Sequence, residues 1–288
     1  MPELPEVETV KRGLKDLIIG KVVKSESHDT ERGFPNLPEE VASFLIDSEI
    51  TNIRRRAKVL MIDLSTGYSL VIHLKMTGQI VYVGDERFGA GHPNDSLVDS
   101  LPDKSTRVTI TFTDKTQLFF NDQRKFGWMK LMPTTEIPNI NFMQKVGPEP
   151  LESSFTAEQF IDRFSRKKNS NIKAALLDQT VVAGIGNIYA DESLWGAKIH
   201  PARLVKEVNS TELRDLYQSV RDILSLSIEK GGSSSRNYVN AEGGRGSYLD
   251  FANVYKRDGQ PCRRCDTIIL KTKLAGRGTH YCPNCQVR

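Results

Sequence analysis

Cysteine is absent from the first 261 residues of this 288-residue chain, and only two tryptophans are present. No apolar run approaches the length of a membrane span, and the first residues lack the basic-then-apolar pattern of a secretory signal. The sequence has no Walker loop, no histidine-rich metal cluster, no Ser/His/Asp order and no internal repeat. These absences exclude membrane proteins, P-loop nucleotide hydrolases and repeat arrays, and we expect a cytoplasmic protein of two domains.

The four cysteines occur as two closely spaced pairs near the carboxyl end. Two residues separate Cys262 from Cys265, and two separate Cys282 from Cys285. This spacing suits tetrahedral zinc held by four thiolates, and a site with no open coordination position is structural rather than catalytic. Two disulfides are the alternative, which a cytosolic chain disfavours. The sequence therefore predicts one structural Zn²⁺.

Positive charge is concentrated in the same segment. The whole chain carries 40 Lys and Arg against 36 Asp and Glu, a formal net charge of +4. Residues 256–288 alone contain eight Lys or Arg and two Asp, so this segment is +6 and the preceding 255 residues sum to −2. A basic segment of this kind indicates a polyanionic partner such as nucleic acid.

The first residues offer a nucleophile. Removal of Met1 would leave Pro2 with a free secondary amine, and an α-amino group has a pKa of about 8 against about 10.4 for lysine, so more of it is neutral near neutral pH. Such an amine attacks electrophilic carbon and gives a cationic iminium, with Glu3 beside it as proton donor or acceptor. The alternative is an ordinary helix start, with Pro5 at the first helical position and Glu6 at the positive end of the dipole.

Helix and strand signals in the first half predict a β-rich domain. Apolar residues at helical spacing predict an amphipathic helix over Pro5–Ile18, and a weaker pattern predicts one over Pro38–Asp47. Six short apolar or alternating runs predict an antiparallel sandwich or barrel. These runs are Lys58–Leu64, Ser69–Leu74, Ile80–Val83, Arg107–Thr113, Gln117–Phe120 and Trp128–Met132.

The second half is predicted to be helical, so the fold class is α+β. Helices are expected over Thr156–Lys167, Asn171–Gln179, Asn187–Gly196 and Ser210–Lys230. The glycines before Asn187 make a turn whose N–H groups could hold a phosphate, although simple helix packing is the alternative. The domains expected are an N-terminal sandwich over 1–132, a Pro/Gly-rich linker over 133–151, a helical domain over 152–255 and the zinc module over 256–288.

A glycine-rich polar segment, Gly231–Ser247, lies within the helical half. Its composition cannot form a core, and long loops of this kind inside compact chains are often functional, with a disordered linker as the alternative. Between the cysteine pairs, Lys271–Tyr281 is predicted to form a hairpin tipped by Gly276, Arg277 and Gly278.

Three segments of the first half carry residues that a core does not explain. Arg54–Lys58 places four cations in five residues, which indicates phosphate contact or a solvated strand approach. Met76 lies in a turn, and Phe126 lies in another turn beside Arg124. Either apolar residue alone would more often belong to a core. Together with Arg124 they suit a wedge that enters a base stack.

These motifs, taken in order, resemble the bacterial formamidopyrimidine-DNA glycosylase family, the Fpg/MutM branch of the Fpg/Nei superfamily. The resemblance covers the length of the chain. It is carried by residues 1–9 (MPELPEVET), 54–58 (RRRAK), 73–78 (HLKMTG), 147–151 (GPEPL), 184–190 (GIGNIYA) and the closing four-cysteine module. Each motif alone is weak, and all of them in one order are highly specific.

The resemblance implies a β-sandwich, a helix–two-turns–helix domain and a zinc finger, which bind damaged double-stranded DNA as a monomer and flip the damaged purine out of the stack. It implies that Pro2 attacks the sugar's anomeric carbon to give a Schiff base, with β and δ elimination following. Glu3 would move protons at the sugar, and Lys58 would act beside the base and phosphate. Asn187 and Arg277 would hold the flanking phosphates.

The resemblance also implies roles for the remaining segments. Met76, Arg124 and Phe126 would fill the gap left by the flipped nucleotide, with Arg124 facing the orphaned cytosine. The 231–247 segment would close over the extruded base. Such an enzyme would work in the bacterial cytoplasm, at the nucleoid.

The sequence departs from the family in the 231–247 segment, which bears on the range of substrates, and in two shorter motifs. Family members often show His-x-His where this chain reads Ser105-Thr106-Arg107, so a phosphate-contacting histidine is replaced by Arg107 or lost. The family's Asp-Pro-Arg-Arg-Phe-Gly also has Gln123 in place of proline and Lys125 in place of the second arginine. These departures bear on DNA contact and opposite-base preference rather than on the nucleophile.

Two rival functions remain open at this point. The endonuclease VIII-like branch shares the nucleophile but prefers oxidised pyrimidines. Leu4, where that branch tends towards Gly, favours the purine branch. A damaged-DNA-binding module without catalysis is the other rival, and the presence of Pro2, Glu3 and Lys58 together argues against it.

Overall fold

The computed structural model describes residues 1–233 and 248–288. The chain divides into two compact units. The first unit holds residues 1–144 and 230–233, and the second holds residues 145–229 and 248–288. The sequence predicted four segments, namely two domains, a linker and a zinc module, whereas the structure divides into two units. The boundaries of the four segments stay a prediction.

The first unit begins with helix α1 (Leu4–Ile18). Pro5 stands in its first turn, where a missing N–H costs nothing, and the Glu6 carboxylate accepts the N–H of Glu3 at 2.7 Å. The apolar face of α1 is fully buried against strands of both sheets. The predicted helix is therefore confirmed with a start one residue earlier, and its packing fixes the position of the residues that precede it.

Two antiparallel sheets form the rest of this unit, together with a short helix α2 (Pro38–Phe44). Nine strands are described in it: β1 (Val23–His28), β2 (Ile50–Arg56), β3 (Val59–Leu64), β4 (Tyr68–His73), β5 (Gly78–Val83), β6 (Arg87–Gly91), β7 (Thr106–Phe112), β8 (Gln117–Asp122) and β9 (Trp128–Pro133). One sheet has the order β1-β7-β8-β5-β6 and the other has the order β2-β3-β4-β9. The predicted antiparallel sandwich is confirmed.

The core of the sandwich lies between the two sheets and α1. Alternate residues of a strand point to opposite faces, so Leu60 and Ile62 of β3 enter this core. Val59 and Met61 of the same strand pack instead with Ile137 on the outer face. Both faces of the four-stranded sheet are therefore covered, which makes its strands rigid supports for the turns at their ends.

The second unit is helical with a small hairpin. After the short helix α3 (Asn141–Lys145), which spans the division, come α4 (Ala157–Ser165), α5 (Ile172–Leu177), α6 (Asn187–Gly196) and α7 (Ser210–Glu229). The hairpin consists of β10 (Leu270–Leu274) and β11 (Arg277–Tyr281). All four predicted helices of this half are present. Among the described residues, no helix has both the length and the apolar character needed to cross a membrane.

Candidate active site and nucleic-acid interface

The start of the chain is held by buried carboxylates. Pro2 is buried, and Glu3 and Glu6 are almost fully so. The Glu6 carboxylate accepts two backbone N–H groups, from Glu3 and from Ser233, each at 2.7 Å. Gly232 has a φ of +85°, and a Cβ there would lie 3.0 Å from the Glu6 carboxylate oxygen, so glycine is favoured at this close approach. Glu6 therefore joins the start of α1 to the last described residues before position 234.

The predicted lesion-binding segment, 231–247, begins at this contact. Residues 234–247 of it lie outside the described residues. Its role stays a prediction.

Lys58 stands in the tight turn between β2 and β3 and is only 6% exposed. The turn is tied to α1 through Arg55, whose Nε donates to Glu8 at 2.8 Å and whose Nη1 donates to the carbonyl of Ala57 at 2.9 Å. Burial of the Glu8 carboxyl opposes its ionisation, but hydrogen bonds from Arg55 and Lys11 hold its pKa below the usual range. Pro2, Glu3 and Lys58 thus all stand on segments anchored to α1.

Two cations of the cluster at 54–58 are paired with carboxylates of the same unit. Arg54 forms two hydrogen bonds with Asp63, at 2.6 and 2.7 Å, and Arg55 is engaged with Glu8 as described. The cluster directly precedes strand β3, as the sequence predicted, but its three arginines also lie on strand β2, which the sequence did not predict. Two of the four cations therefore support the sheet, which weakens the interpretation of the cluster as a phosphate-binding patch.

His73, at the end of β4, is held neutral. Burial lowers its pKa to about 3, and the positive charges of Lys75 and Lys58 act in the same direction. Its Nδ1 accepts the N–H of Lys75 at 3.0 Å, and its ring lies 6.1 Å from that of Trp128. The electrostatic influence of both lysines places positive charge around this strand end, where an anionic ligand would be favoured.

The predicted wedge residues lie on two turns of the first unit. Met76 is half-buried between β4 and β5. Phe126 is 43% exposed between β8 and β9, and the guanidinium carbon of Arg124 lies 4.7 Å from the centre of its ring. This cation–π contact keeps an exposed apolar side chain beside a positive charge. Gln123 is exposed in the same turn.

Arg107 occupies a different environment from the one its predicted role requires. It is 5% exposed, and its guanidinium donates to the carbonyl oxygens of Asp122 (2.9 Å) and Lys104 and to the carboxylate of Asp29. A phosphate would have to displace these partners. The contacts favour a supporting role for Arg107 behind the 122–127 turn, and its direct contact with DNA stays a prediction without support from this geometry.

In the second unit, the predicted phosphate-binding residues lie side by side. Asn187, at the start of α6, donates from Nδ2 to the carbonyl of Gly278 at 2.9 Å. Arg277 is exposed and directly precedes Gly278. The predicted hairpin is confirmed, but its tip consists of Ala275 and Gly276, both with positive φ, and Arg277 is the first residue of β11. Paired with Leu274, Arg277 stands on a strand rather than at a free tip.

Sequence reasoning missed a buried lysine beneath this hairpin. Lys173 of α5 is fully buried, and its Nζ contacts the carboxylate of Asp191 at 2.6 Å, the hydroxyl of Thr279 at 2.8 Å and the carbonyl of Gly278 at 3.0 Å. The signal available in the sequence is a single cation in the apolar run Ile172–Leu177. Such a residue is almost never fully buried without a partner.

A buried carboxylate was missed as well. Glu192 of α6 accepts the hydroxyl of Tyr248 at 3.0 Å and the backbone N–H groups of Asn253, Val254 and Tyr255 at 2.8 Å each. It therefore fixes the residues that follow position 247. Nothing in the local pattern of α6 distinguishes this glutamate from a surface one.

The four cysteines fit a tetrahedral metal. They are unoxidised, and their Sγ atoms all lie within 4.8 Å of one another, with pairs at 3.3, 3.4 and 3.9 Å. Four thiolates around one zinc ion at about 2.3 Å would lie about 3.8 Å apart. The indole N–H of Trp195 and the backbone N–H of Arg264 each donate to Cys262 Sγ at 3.4 Å, as outer partners of metal thiolates do. These residues hold one structural zinc ion.

The antiparallel sandwich, the helices of the second unit and the four-cysteine finger define the domain class of the Fpg/Nei superfamily. Residues 1–129 match the formamidopyrimidine-DNA glycosylase N-terminal domain, residues 146–239 match its H2TH domain, and residues 259–287 match the zinc finger found in FPG and IleRS. The chain belongs to the formamidopyrimidine-DNA glycosylase family.

Relatives of the chain agree with this assignment over their full length. It is 41% identical to the formamidopyrimidine-DNA glycosylase of Pediococcus pentosaceus, over 100% of this chain and 99% of that one. It is 39% identical to that of Pelotomaculum thermopropionicum, over 99% of both. Among solved structures, a complex of Lactococcus lactis Fpg with DNA containing an abasic site superposes with a TM-score of 0.87 at 36% identity, covering 99% and 100% of the two chains. A complex of MutM with DNA containing carbocyclic 8-oxo-G superposes with a TM-score of 0.86 at 36% sequence identity, covering 100% of both chains.

Proposed function

We propose that this protein is a bifunctional DNA glycosylase and AP lyase that excises oxidised purines, 8-oxoguanine and formamidopyrimidines, from duplex DNA. The observation that carries the proposal is the buried start of the chain, where Pro2 precedes two buried carboxylates on a helix packed into the sandwich. Relatives with the same domains are formamidopyrimidine-DNA glycosylases, and solved neighbours are bound to DNA with a Fapy-dG, an 8-oxo-G analogue or an abasic site. The protein acts as a monomer on bacterial DNA, in the cytoplasm at the nucleoid.

The proposed reaction begins with the Pro2 nitrogen. While Met1 is attached, this nitrogen belongs to an amide and has no nucleophilic lone pair, so the proposal requires removal of Met1, which is 40% exposed. The freed amine attacks C1′ of the damaged nucleotide, the N–C1′ bond forms, and the glycosidic bond breaks with its electron pair leaving on the base. The nitrogen then loses its proton, the departing base takes up one proton, and Glu3 donates another to the sugar ring oxygen as the ring opens to the iminium.

Strand cleavage follows from the iminium. Its positive charge makes the C2′ proton acidic, and loss of that proton expels the 3′ phosphate, after which a second elimination expels the 5′ phosphate. Lys58, close to the substrate base and phosphate, supplies positive charge for these departing groups. Asn187 and Arg277 hold the phosphates on either side of the flipped nucleotide. The zinc ion keeps the finger hairpin folded and takes no part in the chemistry.

The discriminating experiment is borohydride trapping with Met1-processed protein. Duplexes carry 8-oxoguanine opposite cytosine, an oxidised pyrimidine, or no lesion, and borohydride is present or absent. We expect a covalent protein–DNA adduct with borohydride, and strand cleavage without it, on the purine lesion. Trapping on the oxidised pyrimidine alone would assign the protein to the endonuclease VIII-like activity. Tight binding with neither adduct nor cleavage on any lesion would leave a DNA-binding module and reject the enzymatic proposal.

A further inference from the structure

The two turns that carry the wedge residues have the same local design. The first turn, residues 74–78, joins β4 to β5, and the second turn, residues 122–127, joins β8 to β9. In the first, Lys75 has a φ of +50° just before Met76; in the second, Lys125 has a φ of +56° just before Phe126. Left-handed lysines are unfavourable and persist only where surrounding contacts fix the backbone. Both turns therefore require something to hold them.

Asp122 holds the second turn from inside. Its side chain is fully buried, and one carboxylate oxygen accepts the backbone N–H groups of Phe126 at 2.8 Å and Gly127 at 2.6 Å. The other oxygen accepts the N–H of Arg124 at 3.2 Å. A hydrogen bond to a charged acceptor is stronger than one between neutral groups. Three backbone donors bound to one carboxylate therefore hold this turn firmly in place. The wedge pair Arg124 and Phe126 is thus set by Asp122.

Thr77 connects this fixed point to the first turn. Its hydroxyl donates to the same Asp122 oxygen that binds Arg124, and the hydroxyl oxygen accepts the N–H of Arg124 at 3.1 Å. Thr77 is buried and directly follows Met76 in the chain. Strands β5 and β8 are neighbours, with Gly78 opposite Asp122, so the two turns emerge at one end of the same strand pair. One threonine hydroxyl therefore bridges the two wedge turns.

We propose that Thr77 and Asp122 form a latch that fixes Met76 and the Arg124–Phe126 pair relative to each other, and that this latch sets how strictly the enzyme reads the base opposite the lesion. Thr77 and Asp122 are positioning residues, since neither is exposed to a ligand. The role in base selection rests on the proposed function. The latch itself rests only on the hydrogen bonds described above.

Geometry explains why selection should depend on the latch. An arginine distinguishes bases by where its N–H donors meet the acceptors of the base. A displaced guanidinium therefore binds a correct and an incorrect base with more similar strength. Met76 and Arg124 stand on turns that are separated by more than forty residues in sequence and share no covalent restraint. Without the Thr77 hydroxyl, each turn can relax separately, while the strands that carry them remain paired.

Arg107 supports the latch from behind. Its Nε donates to the carbonyl oxygen of Asp122 at 2.9 Å, and its guanidinium contacts Asp29, which also lies 3.4 Å from the Lys125 ammonium. The second turn is therefore held through the Asp122 carboxylate on one side and the Asp122 backbone on the other. Arg107 therefore helps Thr77 and Asp122 to hold the second turn in place.

The test uses Thr77→Val, which removes the hydroxyl and keeps the shape, and Thr77→Ser, which keeps the hydroxyl. Thr116→Val is the matched control, because Thr116 donates to Asp114 at 2.7 Å in the turn at the opposite end of β8. The first readout is backbone hydrogen exchange of the free protein. We expect Thr77→Val to accelerate exchange at Arg124, Phe126 and Gly127 by about tenfold, with Thr77→Ser and Thr116→Val unchanged. Unchanged exchange in Thr77→Val would overturn the latch whatever the enzyme does.

The second readout is single-turnover excision of 8-oxoguanine opposite cytosine and opposite adenine, beside cleavage of a preformed abasic site. We expect Thr77→Val to slow excision about tenfold, because a small displacement of groups in a site lowers the reaction rate steeply. The ratio of the excision rate opposite cytosine to that opposite adenine should also decrease. Cleavage of the abasic site, which needs no base extrusion, should stay within about twofold of the parent protein.

The outcomes separate the latch from the function. Two results in Thr77→Val would overturn the role of the latch in base selection. One is an unchanged ratio of the excision rates opposite cytosine and opposite adenine, and the other is a loss of abasic-site cleavage as large as the loss of excision. Faster exchange in Thr77→Val together with a parent protein that acts on no lesion would reject the proposed function and the selective role, and leave Thr77–Asp122 as a structural link alone.

Discussion

Lys173 and Asp191 form an ion pair at 2.6 Å in which neither side chain is exposed. The other Asp191 oxygen accepts the backbone N–H of His280 at 2.9 Å, and the Lys173 ammonium binds the backbone of Gly278. The pair therefore joins α5, α6 and β11 at one point, beside Gly278, the residue that follows Arg277. These buried contacts therefore tie the hairpin, on which a phosphate-binding arginine is expected to act, to α5 and α6.

Removal of one partner from this pair should be severely destabilising. Lys173→Met leaves the Asp191 carboxylate buried without its cation, and we expect the free energy of unfolding to fall by about 3–5 kcal/mol. Denaturant unfolding monitored by circular dichroism measures the change. Lys167→Met is the matched control, because Lys167 pairs with Asp178 at 2.8 Å with both side chains about one-third exposed, and should cost at most about 1 kcal/mol. Equal small effects in the two variants would contradict the proposed importance of the buried pair.

Stability should depend on His73 in acid. Burial lowers the pKa of His73 from 6.5 to about 3 in the folded protein, so between these values the unfolded chain binds a proton that the folded protein does not. The free energy of unfolding should therefore fall as the pH is lowered from 6.5 towards 3. His73→Gln keeps an acceptor for the Lys75 N–H and should flatten this dependence.

The measurement is the unfolding free energy of both proteins across this range. Values at pH 8, where His73 is neutral in both states, serve as the reference. Parallel curves for parent and variant would show that other groups govern the acid response.

Zinc removal should disorder the finger and weaken DNA binding. A strong chelator, or Cys282→Ala, releases the thiolates that hold the module together, and metal binding in such modules is coupled to folding. Trp195 donates to Cys262 at 3.4 Å and lies 3.9 Å from the Arg264 guanidinium, so its fluorescence reports the state of the finger. A Trp128→Phe background leaves Trp195 as the single tryptophan.

We expect the fluorescence change and the loss of duplex affinity to occur together and to be reversed by added zinc. The salt dependence of binding should become shallower, because fewer cations of residues 256–288 reach the phosphates. Unchanged affinity and salt dependence after metal loss would remove the finger from the DNA interface.

Pro2→Gly should separate binding from chemistry. The variant retains the buried helix start but replaces a secondary amine with a primary one, so duplex affinity should persist while base excision falls by about tenfold or more. Affinity is measured on an uncleavable abasic analogue, and excision is measured under single-turnover conditions. Excision at the parent rate would exclude the Pro2 amine from the reaction.

Secondary structure was predictable where local pattern was strong. The four predicted helices of the second half are present, and the six predicted strands all lie at their expected places. The three strands that the sequence missed, β1, β2 and β6, are all at sheet edges. An edge strand is paired on one side only and tolerates the polar residues of β1, the arginines of β2 and the glycines of β6, which hide the strand pattern. The edge strand β9 was predicted because it keeps an apolar sequence.

The sequence by itself determined the main helices, six of the nine strands described in the first unit and the metal site, because each depends on residue types at short, fixed spacing. The tertiary structure alone decided which polar side chains are functional supports. It buried Arg107 behind a turn, paired Lys173 with Asp191 and brought Thr77 to Asp122. These partners come from different strands, helices and turns, and burial makes their hydrogen bonds obligatory, so their roles follow from the folded packing rather than from any local pattern.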